Sequence, residues 1–134
     1  MKEVIEFLIQ NPVQFLATAG LDNKPKVRPF QFMFEYDNKL WFCTGTKKEV
    51  YMELQKSPYI ELSVLSNNMK WLRISGKVIF SDSEIIKKKI INQNKLVKSI
   101  YQTWDNPALT AFYLKDCKAV ITDLSGKLSV QYSF

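Results

Sequence analysis

Apolar and polar positions break this chain into short segments, most of them with the two-residue alternation of strands. "YIELSVLS" (Tyr59 to Ser66) alternates as a half-buried strand does, and "KWLRISGKVIF" (Lys70 to Phe80) follows it after the turn "NNM". "VQFLATA" (Val13 to Ala19) and "KVRPFQFMFEY" (Lys26 to Tyr36) read as strands joined by the turn-rich "GLDNKP", and Asp37 to Lys39 turns the chain into "LWFCT" (Leu40 to Thr44). These three predict an antiparallel meander whose second strand lies beside its third. "LTAFYLKDCKAVITDL" (Leu109 to Leu124) supplies at least one more strand, and "LSVQYS" after the turn "SGK" pairs as a final edge strand. Gly76 within its strand predicts a bulge or bend of the kind that curves a sheet. Long strands, a bend and the benefit of removing edges predict a mainly β fold with peripheral helices. It is a closed or split antiparallel barrel of six or seven strands, and residues 1–134 form one domain.

Helical spacing appears between these strands. A first helix runs from Lys2 to Asn11 and ends at Pro12. A second starts at Lys47, where Thr46 and Glu49 have the spacing of a capping box, and Ser57-Pro58 stops it. Asp82 or Ser83 caps a third through Asn92, and a fourth runs from Lys95 to Thr103. The second helix is unusual because Lys47 and Lys48 fall in its first turn. A helix N-terminus already carries about half a positive charge, so two ammonium groups there oppose the dipole.

Composition narrows the chemistry. The 134 residues include no histidine and only two cysteines, Cys43 and Cys117, far apart and in no metal-ligand spacing. Hydrolase triads built on histidine are excluded, as are the commonest zinc and haem ligations. Catalysis must use a borrowed cofactor or Lys, Arg, Tyr and carboxylates. No segment is long and apolar enough to span a membrane, and the N-terminal stretch lacks a small-residue cleavage site, so a cytoplasmic protein with free thiols is expected. The net charge of +6 raises the question of an anionic partner. Much of the excess lies in solvated helical faces such as "IIKKKII", and the aromatics fall at core spacing in strands, so nucleic acid is not the expected partner.

The two lysines point to a smaller anion. A helix start offers unpaired N–H groups, and Thr44, Gly45 and Thr46 just before it add hydroxyl and amide donors. Arg28 lies mid-strand, followed by Pro29, which cannot donate to a ladder and marks an edge or a locally unpaired stretch. One arginine, two lysines, hydroxyls and a helix start describe a phosphate pocket. Solvent-facing lysines and an exposed strand arginine are the structural alternatives.

The segment "FLATAGLDNKPKVRPFQFMFEYDNKLWFCTGTKKEVYMELQKSPYIELSV", followed by "KWLRISGKVIF", resembles the pyridoxamine 5'-phosphate oxidase-like family of flavin mononucleotide (FMN) binding split barrels. The likeness is closer to its small bacterial branch of nitroimidazole-reductase-like and general-stress-like proteins, and it is strongest from Phe15 to Phe80. The resemblance implies that Arg28, Lys47 and Lys48 hold the FMN phosphate. It implies that the isoalloxazine edge lies along Pro29, Phe30 and Gln31 and along Phe42, Cys43 and Thr44. It also implies a homodimer with FMN at the subunit interface, where a partner subunit brings the positions of Trp71 and Arg73. The oxidase itself has a C-terminal extension, and this chain ends at Phe134, so oxidation of vitamin B6 is not expected. Nitroimidazole-reductase relatives can carry a functional histidine, which is absent here. The implied function is an FMN-dependent oxidoreductase acting on a small molecule, with a small-molecule electron donor and acceptor. The alternative is a flavin-binding or redox-sensing protein without turnover.

Overall fold

The computed structural model describes residues 1–127 and 129–134. The elements are α1 (Lys2–Gln10), β1 (Gln14–Ala19), β2 (Pro25–Phe30), β3 (Phe34–Tyr36), β4 (Lys39–Gly45), α2 (Glu49–Lys56), β5 (Tyr59–Leu65), β6 (Lys70–Ser81), α3 (Glu84–Gln93), α4 (Lys95–Tyr101), β7 (Leu109–Asp123) and β8 (Ser129–Ser133). The strands form one antiparallel sheet in the order β2-β1-β5-β6-β7-β4-β3, with β8 added to β7. The mainly β antiparallel fold expected from the alternation is present, with eight strands rather than six or seven. The final edge strand is described from Ser129 onward, and Leu128, which the sequence includes in it, lies outside the described residues.

The sheet curls around a core that includes Leu16, Phe42, Leu62, Leu72, Ile74 and Phe112, and α1 and α2 pack into that core through Val4, Leu8, Val50 and Leu54. A second, smaller core lies outside the barrel wall. There α3 and α4 set Ile86, Ile90, Val97 and Tyr101 against Trp41, Leu109 and Ala111. Gly76 is the predicted bend: the β6–β7 register shifts between Ser75 and Lys77. Ser83 and Asn94 cap α3 and α4 by accepting the N–H groups of Ile86 and Val97.

The expected meander is not what forms. The long strand Lys26 to Tyr36 breaks at Gln31–Met33, and its two halves go to opposite ends of the strand order. β3 pairs with β4 across a two-residue hairpin in which Asp37 and Asn38 both have positive φ, as a type I′ turn requires. β2 instead pairs only with β1, so it does not lie in a ladder beside β4. The break has a physical cause on each side. Pro29 has no N–H to give a ladder. Phe32 turns inward, 5 % exposed, and its N–H donates to the side-chain oxygen of buried Gln14 at 2.8 Å. Gln14 in turn donates to the carbonyls of Leu8 and Asn11. The result is a seam between β2 and β4 that no ladder closes.

One ion pair ties the seam together beyond its open part. The Arg28 guanidinium reaches under α2 and donates to Glu53 at 2.6 Å, to the Thr18 hydroxyl at 2.8 Å and to the Leu16 carbonyl at 3.2 Å. The Thr18 hydroxyl also donates to Glu53 at 2.7 Å. The Glu53 side chain is 1 % exposed and that of Arg28 is 24 % exposed. Removing one partner of such a pair strands a buried charge, which typically costs about 3–5 kcal/mol. Arg28→Ala should therefore lower the urea unfolding free energy by about 3 kcal/mol, the low end because the arginine is partly wet. A loss below about 1 kcal/mol, the range of exposed pairs, would show that the clasp is not structural.

Candidate functional site

A cavity of about 480 Å³ fills the open part of the seam. That is within the range of small-molecule and cofactor sites, about 300–1,000 Å³. One margin is Pro29, Phe30 and Gln31 at the end of β2, and the other is Cys43 and Thr44 of β4. Lys48 also lines the cavity, and α4 contributes Val97 and Tyr101.

The β4 margin presents backbone as well as side chains. In an antiparallel ladder, the backbone groups of alternate residues face alternate sides. The Trp41 carbonyl accepts from the Met33 N–H at 2.9 Å, on the β3 side. Cys43 therefore turns its backbone groups the same way, and β3 has ended before it reaches that residue. A flat ligand lying in the seam meets free strand edge there, while Pro29 contributes no donor on the facing margin.

Lys48 sits where the turn becomes α2. Its N–H donates to the Gly45 carbonyl at 3.1 Å, and it is the N-cap residue, with no side chain capping the helix. The predicted capping box does not form, and the helix begins two residues later than expected. Thr46 is drawn elsewhere: its N–H donates to the Ala108 carbonyl at 2.8 Å and its hydroxyl to the Pro107 carbonyl at 3.3 Å. The uncapped start of α2 thus carries a lysine at its N-cap instead of a carboxylate or hydroxyl, an arrangement suited to an added anion. Thr44, 3 % exposed, has a buried hydroxyl with no hydrogen-bond partner. Such an orphan costs about 1–3 kcal/mol unless something else satisfies it.

The sequence-predicted residues divide into those the cavity gathers and those it does not. Pro29, Phe30, Gln31, Cys43, Thr44 and Lys48 line it. Lys47 is exposed and outside the lining. Arg28 also lies outside, its guanidinium engaged by Glu53 and Thr18. Phe42 is wholly buried in the barrel, stacked on Phe112 with ring centroids 5.4 Å apart. Trp71 and Arg73 stand on the outer face of β6. The indole N–H donates to the Ser63 hydroxyl at 2.7 Å, the Arg73 guanidinium lies 5.1 Å from the indole ring centre, and it pairs with Glu61 at 3.2 Å. The register runs Pro29–Phe15–Ser63–Arg73 straight across β2, β1, β5 and β6. Three strand spacings, roughly 14 Å, therefore separate Arg73 from the seam within one chain.

Sequence reasoning missed the α4 wall. Leu96 and Ile100, and beside them Val97 and Tyr101, are apolar pairs four residues apart, and all four line the cavity. The readable signal was an amphipathic helix whose apolar face is wider than its packing on the barrel needs.

A family model described as pyridoxamine 5'-phosphate oxidase matches residues 1–114. The chain belongs to that family. A search of curated proteins finds no significant match. Among solved structures, this family member is similar over 100 % of its length to a NimC/NimA family protein from Clostridium acetobutylicum, covering 93 % of that chain at 27 % identity with a TM-score of 0.90. General stress protein 26 from Bacillus anthracis shares the fold at 16 % identity and a TM-score of 0.75, with 98 % of each chain covered. So does a pyridoxamine 5'-phosphate oxidase-related, FMN-binding protein from Nostoc punctiforme, at 14 % identity and a TM-score of 0.65, with 99 % of this chain and 93 % of that one covered.

The cavity's thiol is inert by environment. Burial pushes Cys43 up to about 12, against a weaker downward pull from Lys48, and burial pushes Cys117 up to about 12 as well. Both are free thiols. A thiol whose folded value is raised contributes stability that is complete below its unfolded value of about 9 and lost as pH climbs through about 12. Iodoacetamide at mildly alkaline pH should therefore alkylate the native protein more than about a hundredfold slower than the urea-unfolded chain. Comparable rates would mean that Cys43 is not shielded as described.

Proposed function

We propose that this chain binds FMN in the seam cavity and acts as an FMN-dependent oxidoreductase on a small molecule. The observation that carries the reading is the cavity's mixed lining: apolar walls beside a free backbone edge, together with Lys48 at an uncapped helix start. A flavin mononucleotide has the matching form, a flat ring at one end and a phosphate at the other. The family membership and the Nostoc relative described as FMN-binding support the choice of cofactor. Bound FMN would supply hydride and electron transfer, and the protein would hold it, orient it and exclude water. Pro29, Phe30 and Gln31 would border the ring on one margin and Cys43 on the other, with Lys48 toward the phosphate. Arg28 would act from a distance, by fixing β2 relative to α2. A flavin-binding protein without turnover is the second reading. Reduction of the bound flavin by NADH or NADPH and its reoxidation by a nitro compound or quinone separates the two.

The second copy of the chain belongs to the same proposal. Phe15, Val27 and Leu65 are exposed on the outer sheet face, continuous with Val13 and Pro29 at the cavity mouth and with Trp71 and Arg73 farther across. An apolar face of this kind marks an association surface. A homodimer that buries it would bring Trp71 and Arg73 of one copy toward the seam of the other. Phe15→Glu should convert a particle of twice the chain mass into one of single mass by light scattering, with far-ultraviolet circular dichroism unchanged. A wild-type monomer that still retains FMN would contradict the proposed assembly.

The lysines can be told apart. Lys48→Ala should weaken FMN binding about tenfold or more while leaving riboflavin affinity nearly constant, because charge-assisted contacts are worth about 1.5–3 kcal/mol. Lys47→Ala should change little. Titrations followed by flavin fluorescence measure both, and the reverse ranking would place the phosphate on the other side of the turn.

A further inference from the structure

We propose that Tyr101 is a phosphate-reading residue of this cavity, its hydroxyl donating to the ligand's phosphate beside Lys48 and so favouring FMN over riboflavin. The inference rests on the FMN reading above and adds a residue from α4 that the β2, β4 and α2 positions do not include.

Three observations place the hydroxyl there. First, Gly45 lets the ring approach: a Cβ at position 45 would lie 2.5 Å from the Tyr101 hydroxyl oxygen and 3.5 Å from Cγ of Lys48. The phenol oxygen and the lysine stem thus converge on the turn that opens α2. Second, Tyr101 is 7 % exposed, lines the cavity, and its hydroxyl has no hydrogen-bond partner among the described residues. A mostly buried phenol ordinarily finds one. Third, the backbone that carries the ring is tied to the α2 turn. Gln102 ends α4 with φ 70°, the Asn106 amide donates to the Tyr101 carbonyl at 2.9 Å, and the adjoining Pro107 and Ala108 carbonyls hold Thr46 of the α2 turn.

The charge balance shows why a hydroxyl would be needed. Among the described residues, Lys48 is the only charged one lining the cavity, and no carboxylate lines it. A phosphate dianion beside one ammonium keeps oxygens that still need donors, and neutral donors supply them without like-charge repulsion at the helix start. Burial, and next to it the neighbouring Cys43, hold Tyr101 above its ordinary value, so the phenol keeps its proton as a donor.

The test is binding of FMN and of riboflavin to the wild type, Tyr101→Phe and Gly45→Ala, read by flavin fluorescence. Tyr101→Phe removes one oxygen and keeps the ring packing. It should lower FMN affinity about tenfold and leave riboflavin affinity unchanged. Gly45→Ala, whose methyl displaces the hydroxyl, should reduce the FMN preference in the same direction. The proposal is overturned if Tyr101→Phe keeps the full FMN preference, or if it weakens both ligands equally. A wild type that prefers FMN while Tyr101→Phe also does so leaves the cofactor reading standing and removes only this role. A wild type that binds neither flavin removes both.

Discussion

The seam between β2 and β4 is the constraint from which the rest follows. A hairpin that continued to pair would have closed the barrel and left no cavity. Here β4 holds its partner only as far as Met33 and Trp41, after which β2 turns away to β1. An open strand edge inside a protein is a liability, because unpaired backbone groups need partners. The fold accepts it and controls its width. The Gln14–Phe32 hydrogen bond pins one end, and the Arg28–Glu53 pair pins the part under α2. Both join a buried polar side chain, Gln14 or Glu53, to the strand that must be held, so hydrogen bonds as well as apolar packing specify the geometry.

That control links packing to recognition. Arg28 is one residue from Pro29 on the β2 margin, and Glu53 lies in the helix whose N-cap is Lys48. The ion pair therefore sets the distance between the two sides that a ligand must bridge. A charged residue beside a cavity need not touch a ligand to matter. It can act as a positioning residue, and the inward-facing guanidinium of Arg28 gives it that role. The outer core does similar work from the other side, since α4 lies over Cys43 and Gly45 and shapes the cavity roof.

Much of this was legible in the sequence where the signal was local. Alternation located β5 and β6, Gly76 marked the bulge, and Pro12 and Ser57-Pro58 ended their helices. Pro29 correctly indicated an edge strand. The losses were long-range. Gln31–Met33 reads as uninterrupted strand because Phe and Met suit a sheet, and only the buried Gln14 side chain reveals the crossing. The Thr46–Glu49 capping box failed because Pro107 and Ala108, distant in sequence, compete for Thr46. Nothing local in the α2 sequence marks Glu53 as buried against Arg28. Tyr101 carried no motif at all, since its place depends on the missing side chain of Gly45.

Backbone amide exchange at Cys43 tests the central claim most directly. The account predicts fast exchange of the Cys43 amide in the flavin-free protein, because β3 ends before it can pair there. Added FMN should slow that exchange while leaving the β6 and β7 ladder amides unchanged. An amide already protected without flavin, or one that FMN leaves untouched while protection grows elsewhere, would contradict the seam as the flavin site.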